Sequence, residues 1–429
     1  AAVYKFLADG LKLFPSEVDF ESRKLRGAGF GIDVLPALVG VGYICGARVS
    51  SYLLSGAVLG WLVLMPAFVL VGGDNILFPA TRAIGTLTTW ELWGNYIRYI
   101  GAGAVAAGGI ISLVKALPLI VTTFRKAVRG YGNTGRERTE RDIPMRYVII
   151  GIVAILLFLC VMPQIRLSVP MALFIAVFGF FFATVSARMV GLVGSSNNPV
   201  SGMAIATLLL ASFVLKLTGQ TGLKGMTVAI SMGTVICIVA AMAGDTSQDL
   251  KTGFIVGATP WKQQVGELIG AVVSGLAIGG VLYLLQAAWS FGDPELPAPQ
   301  ATLMKLVVEG VMGDYLPWGL ILIGVFIAVA VEIVGIPVLP FSIGLYLPIH
   351  LSTAIMVGGL LRAFYERKKN EAYVQDGILF SSGLIAGEGL IGILLAVTAV
   401  LGVSAKFDLS GRGISLGAAG SLAAFLIRS

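Results

Sequence analysis

Apolar residues occur in long runs along most of this chain, and short polar segments separate the runs. A helix that crosses a bilayer needs ~20 mostly apolar residues. Uncharged runs that approach or exceed this length cover 49–73, 147–163, 167–187, 189–215, 225–244, 268–292, 315–331 and 333–349 continuing through 351–361. Two further runs, 99–121 and 377–402, each contain one ionisable residue, Lys115 or Glu388. The pattern predicts roughly ten membrane-embedded helices.

Composition supports a membrane protein and excludes several other classes. Of the 429 residues, 57% are hydrophobic and 12% are charged, and the mean hydropathy is +0.91. An average soluble chain has about 25% charged residues, so this chain lacks the groups to cover a water-exposed surface. A soluble enzyme, a nucleic-acid-binding module and a disordered chain are therefore excluded.

The net charge of +7 bears on orientation rather than on a polyanionic partner. Much of the positive charge lies between residues 122 and 146, where seven arginine and lysine residues face three acidic ones. Short loops rich in lysine and arginine stay on the cytoplasmic side of a membrane. The sequence therefore predicts that this loop is cytoplasmic.

Few residues are available for metal or redox chemistry. The three cysteines (Cys45, Cys160, Cys237) lie singly in apolar runs, and His350 is the single histidine. Neither a disulfide framework nor a thiolate or multi-histidine metal centre is expected, and no phosphate-binding Gly-x4-Gly-Lys-Ser/Thr motif is present. We expect no cofactor, no bound metal and no ATP-driven pump.

The start of the chain is unusual. It begins Ala-Ala without a methionine, and residues 1–14 lack the basic and apolar regions of a signal peptide. The sequence is therefore interpreted as N-terminally truncated, with membrane segments missing upstream.

An internal duplication is visible in short matching stretches. The hexapeptide 31–36 (GIDVLP) recurs at 335–340 (GIPVLP), an offset of 304. Upstream, Ala1, Lys5, Asp9 and Gly10 match Ala301, Lys305, Glu309 and Gly310 at an offset of 300; downstream, Gly103, Ala106, Gly109 and Ile111 match Gly383, Ala386, Gly389 and Ile391 at an offset of 280. We predict repeat-related segments 1–121 and 301–402. Repeated halves are typical of secondary transporters.

Glycine is abundant, with 56 residues in the chain. Pairs spaced four apart, such as Gly266 with Gly270 and Gly275 with Gly279, are predicted to permit close helix packing in lipid.

A polar segment interrupts two apolar runs at residues 194–202. Within it, Asn197, Asn198, Pro199 and Gly202 are typical of a break in a helix. One interpretation is a discontinuous helix whose terminus faces substrate or an ion. The other is an ordinary turn outside the membrane.

A second polar segment, 244–253, follows the run 225–243. Asp245 and Asp249 are four residues apart, with Lys251 nearby. They could form a gate, a cation site or a proton relay, or they could belong to a solvated loop. Because both carboxylates fall in one loop, an intramembrane aspartyl protease with two facing aspartates is disfavoured.

Glu388 stands inside an apolar run, where a buried charge costs several kcal/mol. Its counterpart in the first copy is Gly108, so the fold itself does not require a carboxylate there. The functional interpretation is proton coupling. The alternative is a structural partner of Arg48 or Lys216.

The stretch 344–352 carries two more candidates. His350 follows Pro348 and could titrate or bind substrate, although a lone histidine is more often a packing residue. Tyr346 is a candidate for the substrate path.

Four stretches together resemble the oligopeptide transporter (OPT) superfamily, in particular its prokaryotic branch related to the yellow-stripe-like metal-chelate carriers. The matching segments are 198–203 (NPVSGM), 244–260 (GDTSQDLKTGFIVGATP), 344–348 (GLYLP) and 386–389 (AGEG). The resemblance implies a proton-coupled symporter of short peptides or peptide-like metal chelates.

The combined prediction is an all-α polytopic transmembrane helix bundle with internally duplicated halves and broken or re-entrant helices. Residues 1–429 form a single transporter domain of a multi-pass cell-membrane protein, which is not an enzyme. The expected partners are a peptide or metal-chelate substrate, protons and lipid; nucleic acid is not expected, and a homo-oligomer is left open. The alternative functions are an intramembrane hydrolase using Asp245 or Glu388, and a passive channel.

Overall fold

Long apolar helices dominate the computed structural model of this chain. The structure describes residues 1–403 and 417, except for 23–24, 130–136, 164, 166, 194–199, 293–295, 297, 314–316 and 369–370. The helices of the first part are α1 (Ala2–Lys5), α2 (Pro36–Val58), α3 (Met65–Gly72), α4 (Thr89–Leu92), α5 (Arg98–Arg129), α6 (Met145–Val161) and α7 (Val169–Val193). They are followed by α8 (Val200–Leu217), α9 (Gly222–Ile255), α10 (Pro260–Ala288), α11 (Pro299–Met312), α12 (Trp318–Ile333), α13 (Val338–Tyr346), α14 (Ile349–Lys368) and α15 (Glu371–Val400).

Several of these helices meet the length and hydropathy required to cross a membrane. Within the described residues there are six such segments: Pro36–Gly72, Arg138–Val161, Val169–Arg188, Gly222–Ile255, Pro260–Ala288 and Ala372–Val400. Gly202–Leu217 and Trp318–Ile333 are shorter apolar helices. The prediction of an all-α polytopic membrane protein is therefore confirmed.

Intramolecular contacts divide the chain into two units, and each contains its own apolar core. The first unit comprises residues 1–108, 280–299 and 317–429, and the second comprises 109–279 and 300–316. Trp61, Tyr96 and Leu345 are fully buried in the core of the first unit. Phe182 and Ile236 lie in the core of the second.

A two-stranded antiparallel hairpin precedes the first long helix. Strand β1 (Glu17–Glu21) pairs with β2 (Gly29–Asp33), with Glu17 opposite Asp33 and Asp19 opposite Gly31. Side chains alternate between the faces of a strand, so Glu17, Asp19 and Glu21 share one face. We call these three residues the hairpin carboxylates. The apolar Val18 lies on the other face and packs against Val34 and Val39.

Both predicted copies of the repeat contain a broken helix. In α2, Gly46 has φ 81° and ψ 164°, which interrupts the helix ten residues after Pro36. In the second copy α13 ends at Tyr346, and α14 begins at Ile349 after a break at Leu347 and Pro348. The uncharged run 333–361 is thus not one span. We call residues 36–45 and helix α13 the two half-helices.

Glycines allow these broken helices to cross at very short distance. A methyl group on each glycine would overlap a backbone carbonyl of the helix it crosses, so no larger residue fits without a backbone shift. The contacts join Gly42 to Ile355, Gly344 to Leu53, Gly358 to Val39 and Gly56 to Phe341. Gly42 and Leu53 differ by 302 from Gly344 and Ile355, so the first two contacts correspond to each other. The last two contacts are related by the same offset.

The glycine contacts therefore relate the two predicted copies by an offset of 302 over these helices, whereas the matching hexapeptides suggested 304. The half-helices begin at Pro36 and Val338, which also differ by 302. In the first copy Pro36 is the first residue of its helix, but Pro340 is the third residue of α13. The two matching hexapeptides are therefore displaced by two residues relative to the helices that follow them.

The glycine pairs singled out in α10 do not make the predicted contacts. Added methyl groups at Gly266, Gly270, Gly275 and Gly279 would meet nothing within 4 Å in the described part of the chain. Among the described residues, these glycines therefore do not pack closely against another helix, because spacing alone does not reveal which glycines face a neighbour.

Candidate functional site

Glu388 caps the half-helix of the first copy. Its Oε2 accepts a hydrogen bond from the backbone N–H of Ala37, at 3.0 Å, and Ala37 is the second residue of α2. The Nζ of Lys5 lies 3.9 Å from the Oε1 of Glu388 and 2.5 Å from the Oδ2 of Asp9. A carboxylate at a helix N-terminus is stabilised by the unpaired amides and by the helix dipole. Side-chain and backbone donors thus offset part of the cost of burial.

The cations expected to pair with Glu388 are engaged elsewhere. The Nε of Arg48 donates to the hydroxyl of Tyr52 at 3.1 Å. The Nζ of Lys216 donates to the carbonyl of Val311 at 2.8 Å. The structural alternative named Arg48 or Lys216 as the partner, and that assignment is wrong, because Lys5 from the start of the chain occupies the position.

Gly108 lies at the start of the other half-helix. The position of a Cβ on Gly108 would be 2.8 Å from Val338 Cγ1 and 3.7 Å from the backbone nitrogen of Leu339. Leu339 is the second residue of α13, as Ala37 is of α2. Glu388 and Gly108 therefore take corresponding places, and only the first copy presents a carboxylate to its half-helix.

Asp33 is a buried carboxylate that sequence reasoning did not select. It is 5% exposed, and its Oδ1 has no hydrogen-bond partner in the described part of the chain. Burial and the like charge of Glu17 raise the pKa of Asp33 to about 7, and Lys5 acts in the opposite direction. Its place in GIDVLP, where the second copy has Pro337, was the available signal.

His350 joins α14 to the hairpin. Its imidazole is 1% exposed, and its Nε2 forms a short contact with Oδ1 of Asp19. The ring crosses strand β2 at Gly31, where a methyl group would overlap it. Glycine at this position is therefore required for His350 to reach Asp19.

Tryptophan rings surround the same histidine. The ring of Trp90 stacks on His350 with centroids 5.0 Å apart and planes at 13°. Trp61 meets it edge-on at 5.3 Å. A second hairpin carboxylate is also held, since the Oε1 of Glu21 accepts from the hydroxyl of Thr89 at 2.7 Å. The acidic face of the hairpin is thus anchored to helices at two points.

Tyr346 is buried at the end of α13. A methyl group at Gly101 of α5 would overlap the backbone of Tyr346, so the two helices cross closely at this point. Arg98, which begins α5, lies close enough for its charge to interact with the phenol of Tyr346.

The segment 245–253 is helical rather than a loop, contrary to the sequence analysis. It continues α9 to Ile255, and the chain turns at Gly257 with φ +74°. Asp245 and Asp249 are exposed on this one helix. The polar residues extend the helix because none of them is a proline or another strong helix breaker.

This extension of α9 is tied to the end of α7. The Nζ of Lys251 donates to the carbonyl of Gly191 at 2.6 Å, and the hydroxyl of Ser247 donates to Ala187 at 2.5 Å. Asn197, Asn198 and Pro199 lie outside the described residues, whereas Gly202 is buried in α8. The sequence also predicts that the Asn197–Gly202 break and the Asp245–Gly253 segment approach each other near the transport path, and this stays a prediction.

Comparison with known proteins identifies the family. The model of the family described as OPT oligopeptide transporter protein matches residues 12–399. The chain belongs to the OPT family. This confirms the resemblance stated above, and it makes the chain an integral membrane protein of a transporter family.

Individual OPT relatives cover most of the chain. A protein of Haemophilus influenzae named "Putative oligopeptide transporter" is 32% identical, over 92% of this chain and 71% of the relative. "Probable metal-nicotianamine transporter YSL11" of Oryza sativa subsp. japonica is 22% identical, over 92% of this chain and 60% of its own length. "Probable metal-nicotianamine transporter YSL6" of Arabidopsis thaliana is 24% identical, over 87% and 60%. The chain thus spans about 60% of the length of these plant relatives.

Proposed function

We propose that this chain is the core of a proton-coupled symporter that carries oligopeptides or peptide-like metal chelates. Family membership and the names of the relatives support the two substrate classes. Coupling to protons is supported by the cluster formed by Asp33, Glu388 and Lys5, because buried ionisable groups are costly unless they are paired or serve a function.

The single observation that carries the coupling proposal is that the carboxylate of Asp33 is buried. Glu388 already accepts from Ala37 and faces Lys5, so its charged form has partners. Asp33 has a buried oxygen without a hydrogen-bond partner among the described residues, and it faces Glu17 across the hairpin. The groups around it are Glu17 and Asp19 on β1, Lys5 on α1 and Glu388 on α15.

A proton on Asp33 removes one negative charge from this group of residues. Lys5 then interacts with Asp9 and Glu388 alone. Loss of the proton creates a buried carboxylate that competes with Glu388 for Lys5. Such a change alters the forces at the start of the first half-helix, where broken helices of transporters bind their cargo. Asp33 is therefore the proton carrier of the proposal, and Glu388 both caps the half-helix and competes with the ionised form of Asp33 for Lys5.

The test is uptake by the purified full-length protein in vesicles. Labelled di- to tetrapeptides form one arm, and an iron–nicotianamine chelate forms the other. The proposal expects accumulation above the external concentration in at least one arm when the outside is acidic, and loss of this accumulation when a protonophore is added. Equilibration without accumulation would indicate a passive channel, and cleavage of the peptide would indicate a hydrolase; either result would overturn the proposal.

A further inference from the structure

An arginine that forms no ion pair with the described carboxylates lies in the same unit as Asp33 and Glu388. Arg98 begins α5 and is half-buried. No described carboxylate forms an ion pair with it, and its buried Nε lacks a hydrogen-bond partner in the described part of the chain. By contrast, Arg82 pairs with Glu91, and Arg362 with Glu366.

Aromatic side chains form the surroundings of Arg98. Its guanidinium carbon is 6.0 Å from the ring centroid of Trp93 and 6.0 Å from that of Tyr99. The indole Nε1 of Trp93 is also buried without a hydrogen-bond partner among the described residues. Two neighbouring groups therefore have unused donors, and both require an acceptor.

A row of rings leads from Arg98 to the hairpin carboxylates. Trp93 meets Trp90 edge-on with centroids 5.7 Å apart, and Trp90 stacks on His350. His350 in turn contacts Asp19. The row thus has Arg98, which no described carboxylate pairs with, at one end and the hairpin carboxylates at the other.

We infer that Arg98 binds a carboxylate of the transported substrate, an inference that rests on the proposed function. A planar guanidinium matches a carboxylate with two parallel N–H···O bonds, and aromatic surroundings strengthen such a pair by excluding water. The indole N–H of Trp93 supplies a further donor. A carboxylate is the group that peptides and amino-acid-derived chelators such as nicotianamine share, so one site serves both substrate classes.

The hairpin carboxylates, at the end of the row opposite Arg98, can attract the α-ammonium group of a peptide. The α-ammonium group of an extended peptide bound at Arg98 is directed along the tryptophan rings toward Asp19 and the other hairpin carboxylates. Ammonium groups are attracted both to carboxylates and to the faces of tryptophan rings. The inferred ligand is therefore zwitterionic, with its carboxylate at Arg98.

The test is equilibrium binding to the full-length protein in detergent, measured by tryptophan fluorescence and by calorimetry. The ligands are trialanine and its C-terminal amide, which differ in the carboxylate, with nickel–nicotianamine as a third ligand. We expect the parent to bind the free acid at least tenfold more tightly than the amide, because hydrogen bonds to charged groups are the strong ones. Arg98→Gln should bind acid and amide equally and should lose affinity for the chelate.

Two further variants separate binding from folding. Arg98→Lys keeps the charge and should retain part of the acid preference. Arg82→Gln removes an arginine that is already paired with Glu91 and should keep all of it. Equal binding of acid and amide by the parent, or an acid preference that survives in Arg98→Gln, would overturn the inference. Failure of proton-driven accumulation with an intact, Arg98-dependent acid preference would instead reject the transport proposal alone.

Discussion

The two half-helices share their crossings but differ in what meets their first turns. Both begin at equivalent positions, Pro36 and Val338, and both are crossed by glycines of the other copy. The first half-helix receives Glu388, whereas the second receives Gly108. At the offset of 302, Asp33 corresponds to Gly335, which has φ +84°. Asp33 and Glu388 thus each correspond to a glycine in the other copy.

This difference distinguishes residues that build the fold from residues that are candidates for transport. Features present in both copies are needed to build the broken helices, so they are explained by packing. Features present in one copy are not required by the fold, and they are the candidates for coupling. The comparison therefore assigns the crossing glycines to structure and the group of Asp33 and Glu388 to transport.

The largest expected effect on folding comes from changing the glycines at which the broken helices of the two copies cross. Gly42→Val and Gly344→Val place side-chain atoms inside the carbonyls of Ile355 and Leu53, and backbone cannot yield without separating the helices. We expect neither variant to give folded protein, as judged by yield and by a monodisperse elution profile in detergent. Gly383→Val is the control, because a Cβ there meets no described atom within 4 Å. Tolerance of one variant but not of the other would break the proposed equivalence of the two crossings.

The next effect concerns Asp33 and its pH dependence. Its pKa is about 7 in the folded protein, compared with 3.8 ordinarily. The folded state therefore binds this proton more tightly than the unfolded chain, so the stability that the proton provides is complete below pH 4 and is lost as the pH rises to about 7. Asp33→Asn should remove this loss, which is on the order of 4 kcal/mol at neutral pH. Unfolding temperatures in detergent at pH 4.5 and pH 8 measure it.

The control for Asp33 is Asp249→Asn, which changes an exposed aspartate on α9. This variant should keep the pH dependence of the parent. If Asp33→Asn also retained the slope of the parent between pH 4.5 and pH 8, the carboxylate would be ionised throughout that range and could not carry the coupled proton.

A smaller effect on stability, with a clear functional result, is expected at Glu388. Glu388→Ala leaves the N–H of Ala37 without its acceptor and Lys5 with Asp9 alone, which should cost about 1–3 kcal/mol. Glu388→Gln keeps an acceptor oxygen and should preserve most of the stability, but it should abolish uphill, pH-driven uptake while substrate exchange continues. If the glutamine variant accumulated substrate like the parent, Glu388 would only cap the half-helix, and Asp33 would carry the coupled proton without it.

The smallest effect is expected at Gly108, the counterpart of Glu388. A methyl group there meets Val338 Cγ1 at 2.8 Å, and this side-chain atom can move. Alanine also favours a helix over glycine by up to about 1 kcal/mol, so the two contributions oppose each other. Gly108→Ala should change stability by less than about 1 kcal/mol and leave uptake unchanged. A loss of transport in this variant would show that the second half-helix also takes part.

The sequence predicted the membrane class well because long apolar runs are a local signal. Glu388 was also found locally, since a carboxylate inside an apolar run stands out. Its partner Lys5 could not be found in this way, because the two residues are 383 positions apart and are joined only by the packing of α1 on α15. Asp33 was missed because a polar hairpin gives no sign that it becomes buried.

The errors have similar causes. The polar residues of 245–253 suggested a loop. A helix continues past its apolar segment when no helix-breaking residue is present, and α9 does so. The glycine spacing in α10 resembled a packing motif, but the glycines that pack are Gly42, Gly56, Gly344 and Gly358. Which face of a helix meets a neighbour is decided by the tertiary arrangement and not by spacing.

The cap on the first half-helix also sets an order of events during synthesis. Ala37 and Glu388 are separated by 351 residues. At about 5–20 residues per second, a ribosome needs roughly 20–70 s to add the second after the first. During this interval the first turn of α2 exists without its acceptor, and only arrival of α15 completes it. Glu388 is therefore a late contact in synthesis, and a nascent chain that ends before Glu388 leaves the amide of Ala37 without this acceptor.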